Sequence, residues 1–279
     1  MIDILLSTYN GEKYLNEQII SIQNQSEKDW RLLVRDDGSS DNTLRLLEYF
    51  ASQDKRIILI KDDKGNLGVV RSFEILLAQS NADYIMFADQ DDVWLANKIR
   101  DTWEAMLTVE RKTSNIPLLV FTDVCVVDAG LKEIHPSFIS RERYDVTKVN
   151  DIYKLVISNC IMGCTVMINS KAREKVLPFS RYALMHDWWI GLVVANYGKN
   201  IFLDKVTSLY RQHENNQVGS GRITIKYYLN RLFNIYKYFM VNYRYIQMVK
   251  DLPLKMSIPF ILFKKTYFSM CSIINKIKK

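Results

Sequence analysis

Tyr84-Ile85-Met86-Phe87-Ala88-Asp89-Gln90-Asp91-Asp92 is the stretch on which the reading of this chain turns. An apolar run passes into three acids within four positions, the pattern of a strand that ends by presenting carboxylates. A hard divalent cation such as Mg²⁺ or Mn²⁺ takes one or two carboxylates and leaves the rest of its shell to phosphate oxygens. The stretch therefore points to an enzyme that handles phosphates. A solvated acidic turn is the competing reading, because a short acidic motif alone has low specificity.

The rhythm extends outward from there. Apolar segments recur at 4–7, 31–34, 57–61 and 118–127. Tyr14, Leu15, Gln18, Ile19 and Ile22 have helical spacing after Asn10-Gly11, as do Leu44, Leu47, Glu48 and Phe50 after a cap at Asp41 or Asn42, and residues 69–77 supply a third helix. Strands alternating with helices predict an α/β fold: a mainly parallel sheet covered on both faces, with its ligand beyond the carboxyl ends of the strands. Further along, a strand is expected over 163–168, a helix over 187–197 and short strands near Ile201 and Thr207. Gly219-Ser220-Gly221 reads as a joint. It divides the chain into 1–221, with halves 1–110 and 111–221, and a tail, 222–279.

Three polar clusters stand where apolar strands run out: Ser7-Thr8-Tyr9-Asn10-Gly11, Arg35-Asp36-Asp37-Gly38-Ser39-Ser40-Asp41, and Asp89 to Asp92. In a parallel sheet all three converge on one edge, where a nucleotide would meet Ser and Asp side chains and set its diphosphate against the metal. Other phosphate devices are missing. No G-x-G-x-x-G follows a strand and no Gly-Lys-Ser/Thr occurs, so a dinucleotide dehydrogenase and a P-loop enzyme both lose their main support.

The net charge of +7 is unevenly spread. Residues 222–279 hold twelve Lys or Arg and one acid, Asp251, a balance of +11 that leaves −4 for residues 1–221. Within the tail, Ile225, Leu229, Leu232, Tyr236, Phe239, Tyr243 and Ile246 follow helical spacing, with Lys226, Asn230, Lys237 and Arg244 on another face. Lys264-Lys265 interrupts the apolar residues that follow, so no stretch reaches the ~20 residues needed to span a bilayer. The tail is expected to lie on an anionic membrane surface rather than on nucleic acid; packing on the rest of the chain or on a second copy, as a homo-oligomer, is the alternative. Cys125, Cys160, Cys164 and Cys271 lack metal-site spacing and read as buried thiols. With no secretory signal before the strand at Ile4, the expected location is cytoplasmic, on the inner face of the membrane.

Ser7-Thr8-Tyr9-Asn10-Gly11, Asp36-Asp37-Gly38-Ser39-Ser40-Asp41, Asn66-Leu67-Gly68 and Asp89-Gln90-Asp91-Asp92, in this order and spacing, resemble the motifs of family 2 glycosyltransferases. The resemblance covers roughly residues 1–215. Ala88 to Trp94 and Met185-His186-Asp187-Trp188-Trp189 look most like bacterial rhamnosyltransferase-like members. The resemblance implies a GT-A fold, a nucleoside-diphosphate sugar donor, a saccharide or lipid-linked saccharide acceptor, and Mg²⁺ or Mn²⁺. It implies that Ser7, Thr8 and Tyr9 hold the base and ribose, that Asp37 accepts from the pyrimidine N3, and that Asp89 contacts ribose or sugar. Asp91 matches the metal-binding acid, with Asp92 beside it touching the donor or orienting the metal site.

Transfer with inversion needs one base for the acceptor hydroxyl, and Asp187 matches the family's catalytic acid; capping the following helix is its bland alternative. Many relatives carry Glu before this Asp, where this chain has His186. The Gln-x-x-Arg-Trp motif of processive members is missing, which implies addition of a single sugar. In Tyr210-Arg211-Gln212-His213, Arg211 can meet phosphate and His213 can ligate the metal or meet the diphosphate. Gly163-Cys164-Thr165 resembles an acceptor-side segment, with packing as the alternative. Two other functions stay open at this point: a nucleotidyltransferase acting on sugar phosphates, which also uses carboxylates and a divalent ion, and an inactive GT-A-like membrane-binding module.

Overall fold

Strand β1 (Ile2–Thr8) sends Ile2, Ile4 and Leu6 into one core and Leu5 into another. Neighbouring β2 (Trp30–Asp36) and β4 (Tyr84–Ala88) alternate in the same way, with Leu33, Ile85 and Phe87 on the Leu5 side. Period-2 strands that are apolar on both faces are what a sheet covered on both sides requires. The computed structural model describes residues 1–113, 115–213 and 235–253, together with positions 257, 259 and 265.

One face is covered by α1 (Leu15–Gln23), α2 (Thr43–Gln53) and α4 (Lys98–Glu110), which contribute Ile19, Leu47, Phe50, Ile99 and Met106. The other is covered by α3 (Val69–Gln79) and by two later helices. After the short helices α5 (Phe138–Glu142) and α6 (Ile152–Ile157), these are α7 (Ser170–Val176) and α8 (His186–Tyr197). α8 buries Trp189, Ile190, Leu192 and Val194 around most of its circumference, as a helix enclosed on several sides must.

The remaining strands are β3 (Ile57–Leu59), β5 (Val93–Trp94), β6 (Leu118–Val127), β7 (Glu133–His135), β8 (Met167–Asn169) and β9 (Lys199–Arg211). The sheet order is β3-β2-β1-β4-β8-β6-β9-β5, with β7 on β6. β1, β2, β3 and β4 are parallel, and so are β6 and β9. β8 runs against both β4 and β6, and β5 runs against β9. The expected mainly parallel sheet is therefore mixed at its centre. Register places Thr8 beside Asp36 and Leu6 beside Ala88, so the ends of β1, β2 and β4 share one edge.

Two expectations change in detail. The strand expected over 163–168 is a 3-10 turn, Gly163–Thr165, followed by β8, because the carbonyls of Met162 and Gly163 accept the amides of Thr165 and Val166. The short strands near Ile201 and Thr207 are one strand, β9, whose pairing with β6 shifts register around Asp123.

Helix α9 (Ile235–Lys250) belongs to the tail. Tyr245, Met248, Val249 and Leu252 are buried in the same core as α8, and the Tyr245 hydroxyl donates to the Val156 carbonyl at 2.9 Å. Tyr243 is instead 40% exposed, so the packed face is offset from the one read through Tyr243. The joint at 219–221 and the tail positions 225–232 lie outside the described residues, as do the side chains of Tyr236, Lys237 and Phe239. No helix among the described residues is long and apolar enough to cross a membrane.

Candidate active site

The carboxyl edge of the sheet opens into a cleft of about 710 Å³. Ser7, Thr8, Tyr9, Asp37, Asp89, Asp91, Asp187 and His213 all line it. Asp92 and Arg211 do not; both are buried behind its wall.

At the β1–β2 end the Thr8 hydroxyl donates to Asp36 (2.9 Å), which joins the two strand ends. Asp37 is paired with Arg35 Nη1 at 2.5 Å and accepts the amides of Leu67 and Gly68 at 2.8 Å each. Gly68 has φ 79°, a left-handed conformation that glycine adopts without penalty, so Asn66-Leu67-Gly68 can bring two successive amides to one carboxylate. Three acceptor positions of Asp37 are thereby filled. A carboxylate has about four, which leaves one.

Gln90, which sequence reading passed over, clamps the acidic loop to the first cluster. Its Oε1 accepts the Tyr9 amide at 2.8 Å and its Nε2 donates to the Tyr9 carbonyl at 3.0 Å. A Cβ at Gly11 would meet Gln90 Oε1 at 2.4 Å, so a larger residue there would push this side chain off its bonds to Tyr9. An amide between two acids is the one trace of this in the sequence.

Asp91 Oδ2 and His213 Nε2 stand 2.8 Å apart at the cleft. Burial, together with the charges of Asp91 and Asp187, raises the Asp89 carboxyl above the usual range. A cation between such groups relieves that repulsion, and a donor set of carboxylate oxygen with an imidazole nitrogen suits Mg²⁺ or Mn²⁺. Asp91 and His213 therefore offer two ligand atoms that suit a divalent ion. Asp89, Asp92 and Cys164 also bring ligand atoms within 4.8 Å of one another. That group suits a metal less well: Asp92 and Cys164 are buried, burial raises the thiol well above its ordinary value, and the buried cation Lys98 already offsets the charge. Lys98 Nζ is held by Ser208 (2.6 Å) and Thr207 (3.2 Å), and burial brings its pKa down to about 8.

Arg211, expected to meet phosphate, is buried behind the cleft wall. Its Nε donates to the Asp91 carbonyl at 2.8 Å, Nη1 to the Ala129 carbonyl at 2.7 Å, and Nη2 to Glu17, while the guanidinium lies 4.4 Å from the Tyr14 ring. It braces the Asp91 loop from behind. Asp92 serves the same brace by accepting the Arg211 amide at 3.2 Å.

Across the cleft, Asp187 is in the first turn of α8. Its Oδ2 accepts the Gly163 amide at 2.9 Å, and its Oδ1 accepts the Trp188 amide at 2.5 Å and Asn159 Nδ2 at 3.4 Å. Burial pushes its carboxyl up to about 6 against those three donors. A carboxylate so placed can exchange a proton near neutral pH. The 3-10 turn at Gly163–Thr165 thus both lines the cleft and holds Asp187.

The family model for "Glycosyl transferase family 2" matches residues 3–174. A dTDP-rhamnosyl transferase, RfbG, of Shigella flexneri is 30% identical over 231 residues, 77% of this chain and 74% of that protein. A UDP-Glc:alpha-D-GlcNAc-diphosphoundecaprenol beta-1,3-glucosyltransferase, WfgD, of Escherichia coli is 26% identical over 76% of this chain and 77% of its own length. Among solved structures, the mannosyltransferase PcManGT of Pyrobaculum calidifontis, in complex with GDP-Man and Mn²⁺, superposes with a TM-score of 0.62 over 97% of this chain and 70% of that one, at 15% identity. That likeness carries the fold, GT-A, while the family model, matching well over half of the chain, carries the kinship: this protein belongs to the family 2 glycosyltransferases.

Proposed function

We propose that the protein is an inverting, metal-dependent transferase. It moves one sugar from a nucleoside-diphosphate donor, dTDP-rhamnose or a UDP-hexose, to a bacterial surface polysaccharide or its lipid-linked precursor. The observation that carries the reading is that Asp187 lines the same cleft as Asp89, Asp91 and His213. The named activities of RfbG and WfgD support the donor and acceptor classes.

In this reading Ser7, Thr8 and Tyr9 cradle the base and ribose, and Asp37 offers its remaining acceptor position to the pyrimidine N3–H. A Mg²⁺ or Mn²⁺ ion held by Asp91, with His213 beside it, would neutralise the charge that grows on the leaving diphosphate. Asp187 takes the proton from the acceptor hydroxyl as that oxygen bonds to the anomeric carbon. The bond from that carbon to the diphosphate oxygen breaks, and the nucleoside diphosphate departs with the bonding pair. The basic tail, 222–279, adds attachment to an anionic membrane surface and so places the enzyme near a lipid-linked acceptor.

Asp187→Asn is expected to lower transfer by at least about 100-fold, the size of a general-base contribution, with donor binding kept. Asp91→Ala is expected to weaken Mn²⁺-dependent binding of the nucleotide. Transfer read as released nucleoside diphosphate checks the first and calorimetry the second; normal turnover in Asp187→Asn removes the assignment.

A further inference from the structure

Strand β9 ends at Arg211, and His213 stands two residues further on, so the alternation of an extended chain puts both side chains on one face. A single ring, that of Tyr14, meets them there. Its centroid lies 4.8 Å from the His213 imidazole, tilted by 36°, and 4.4 Å from the Arg211 guanidinium. Tyr14 is itself held. It is buried at the start of α1, where its amide donates to the Gly11 carbonyl and its carbonyl accepts the amides of Glu17 and Gln18. Glu17, three residues on and so on the same face of α1, accepts from Arg211 Nη2.

Two routes run from this ring to Asp91. Through Arg211 it reaches the Asp91 carbonyl, and through His213 it reaches the Asp91 carboxylate. The first route has other supports, because Glu17 and the Ala129 carbonyl hold Arg211 as well. In the second, the ring sets the plane of the imidazole whose Nε2 stands 2.8 Å from Asp91 Oδ2. A ligand atom adds most to affinity when it is ordered before the ion arrives, since ordering a loose side chain uses up binding energy. The Tyr14 hydroxyl is buried with no hydrogen-bond partner among the described residues. A hydroxyl so placed costs stability, so the contribution of this position lies in its ring.

From this geometry we infer that Tyr14 is a positioning residue, whose ring holds the His213 imidazole against Asp91 so that both ligand atoms serve one divalent ion; the inference rests on the metal reading above. The test uses the full chain with Mn²⁺ alone as the probe. Calorimetry reads the affinity, and electron spin echo modulation reads whether an imidazole nitrogen is bound to the ion. Tyr14→Phe is expected to match the wild type in both. Tyr14→Leu is expected to bind about fivefold more weakly, the size of an aromatic pair's contribution, and to lose most of the nitrogen signal, as His213→Ala loses all of it. Introduced into His213→Ala, Tyr14→Leu is expected to cost nothing more. Wild-type affinity and nitrogen signal in Tyr14→Leu overturn the inference. So does a Tyr14→Phe that loses as much as Tyr14→Leu, which moves the effect to the hydroxyl, or a further fivefold loss in the His213→Ala background, which marks a loosened fold. A wild type that binds Mn²⁺ without the nitrogen signal, or not at all, overturns the metal role of His213 as well.

Discussion

Asp187 is pulled two ways. Burial favours its neutral form, and the amides of Gly163 and Trp188 with Asn159 Nδ2 favour the charged one, so the carboxyl comes to rest at about 6. A general base works only unprotonated, so activity is present above that value and lost as pH falls through it. We expect kcat/KM to drop about tenfold per pH unit below about 6, and Asn159→Leu, which removes one donor to the charged form, to move that limb to higher pH. A pH–rate profile that stays flat well into the acid range removes Asp187 from the role of base. That Asp91 and Asp187 line the cleft was foreshadowed, Asp91 by a local pattern, an acid after an apolar strand, and Asp187 by the family resemblance. What Gln90, Asn159 and the Tyr14 ring hold was not legible. Each depends on a partner far along the chain: Tyr9, Asp187, or Arg211 with His213. The bracing position of Arg211 was not legible for the same reason, because Glu17 and Ala129 are remote in sequence.

Among the elements, the parallel half was readable because β1, β2 and β4 are short apolar runs bounded by polar clusters. β8 was not, because it is three residues long and follows a 3-10 turn, too short for periodicity to register. α9 was readable as a helix but not in orientation, since Tyr243 and Tyr245 are equally apolar and only packing distinguishes them. Tyr245 is fully buried, its ring 5.6 Å from Trp188. We expect Tyr245→Ala to destabilise the protein by about 3–5 kcal/mol, as loss of a buried aromatic does, and Tyr243→Ala, which loses an edge contact with Tyr182 at 6.0 Å, to cost about 0.5–1.5 kcal/mol. Denaturant midpoints check both; equal effects would mean that α9 does not dock through Tyr245.

Over the whole molecule, charge is segregated: +11 on residues 222–279 against −4 on the rest. Each Lys or Arg near an anionic leaflet contributes about 1 kcal/mol. We expect full-length protein to float with anionic vesicles at low salt and to be released as salt screens the attraction; protein that stays in the soluble fraction removes membrane attachment.

One feature of the sheet has a bearing on how such enzymes diversify. Parallel strands touch the cleft with the residues that leave them, whereas β8, which runs the other way, touches it with the residues that precede it. The wall holding Asp187 is therefore written in a different stretch of chain from the floor that holds Asp89 and Asp91, and mutations can remodel the one while leaving the other untouched. Modularity of this kind lets one cleft be retuned one side at a time.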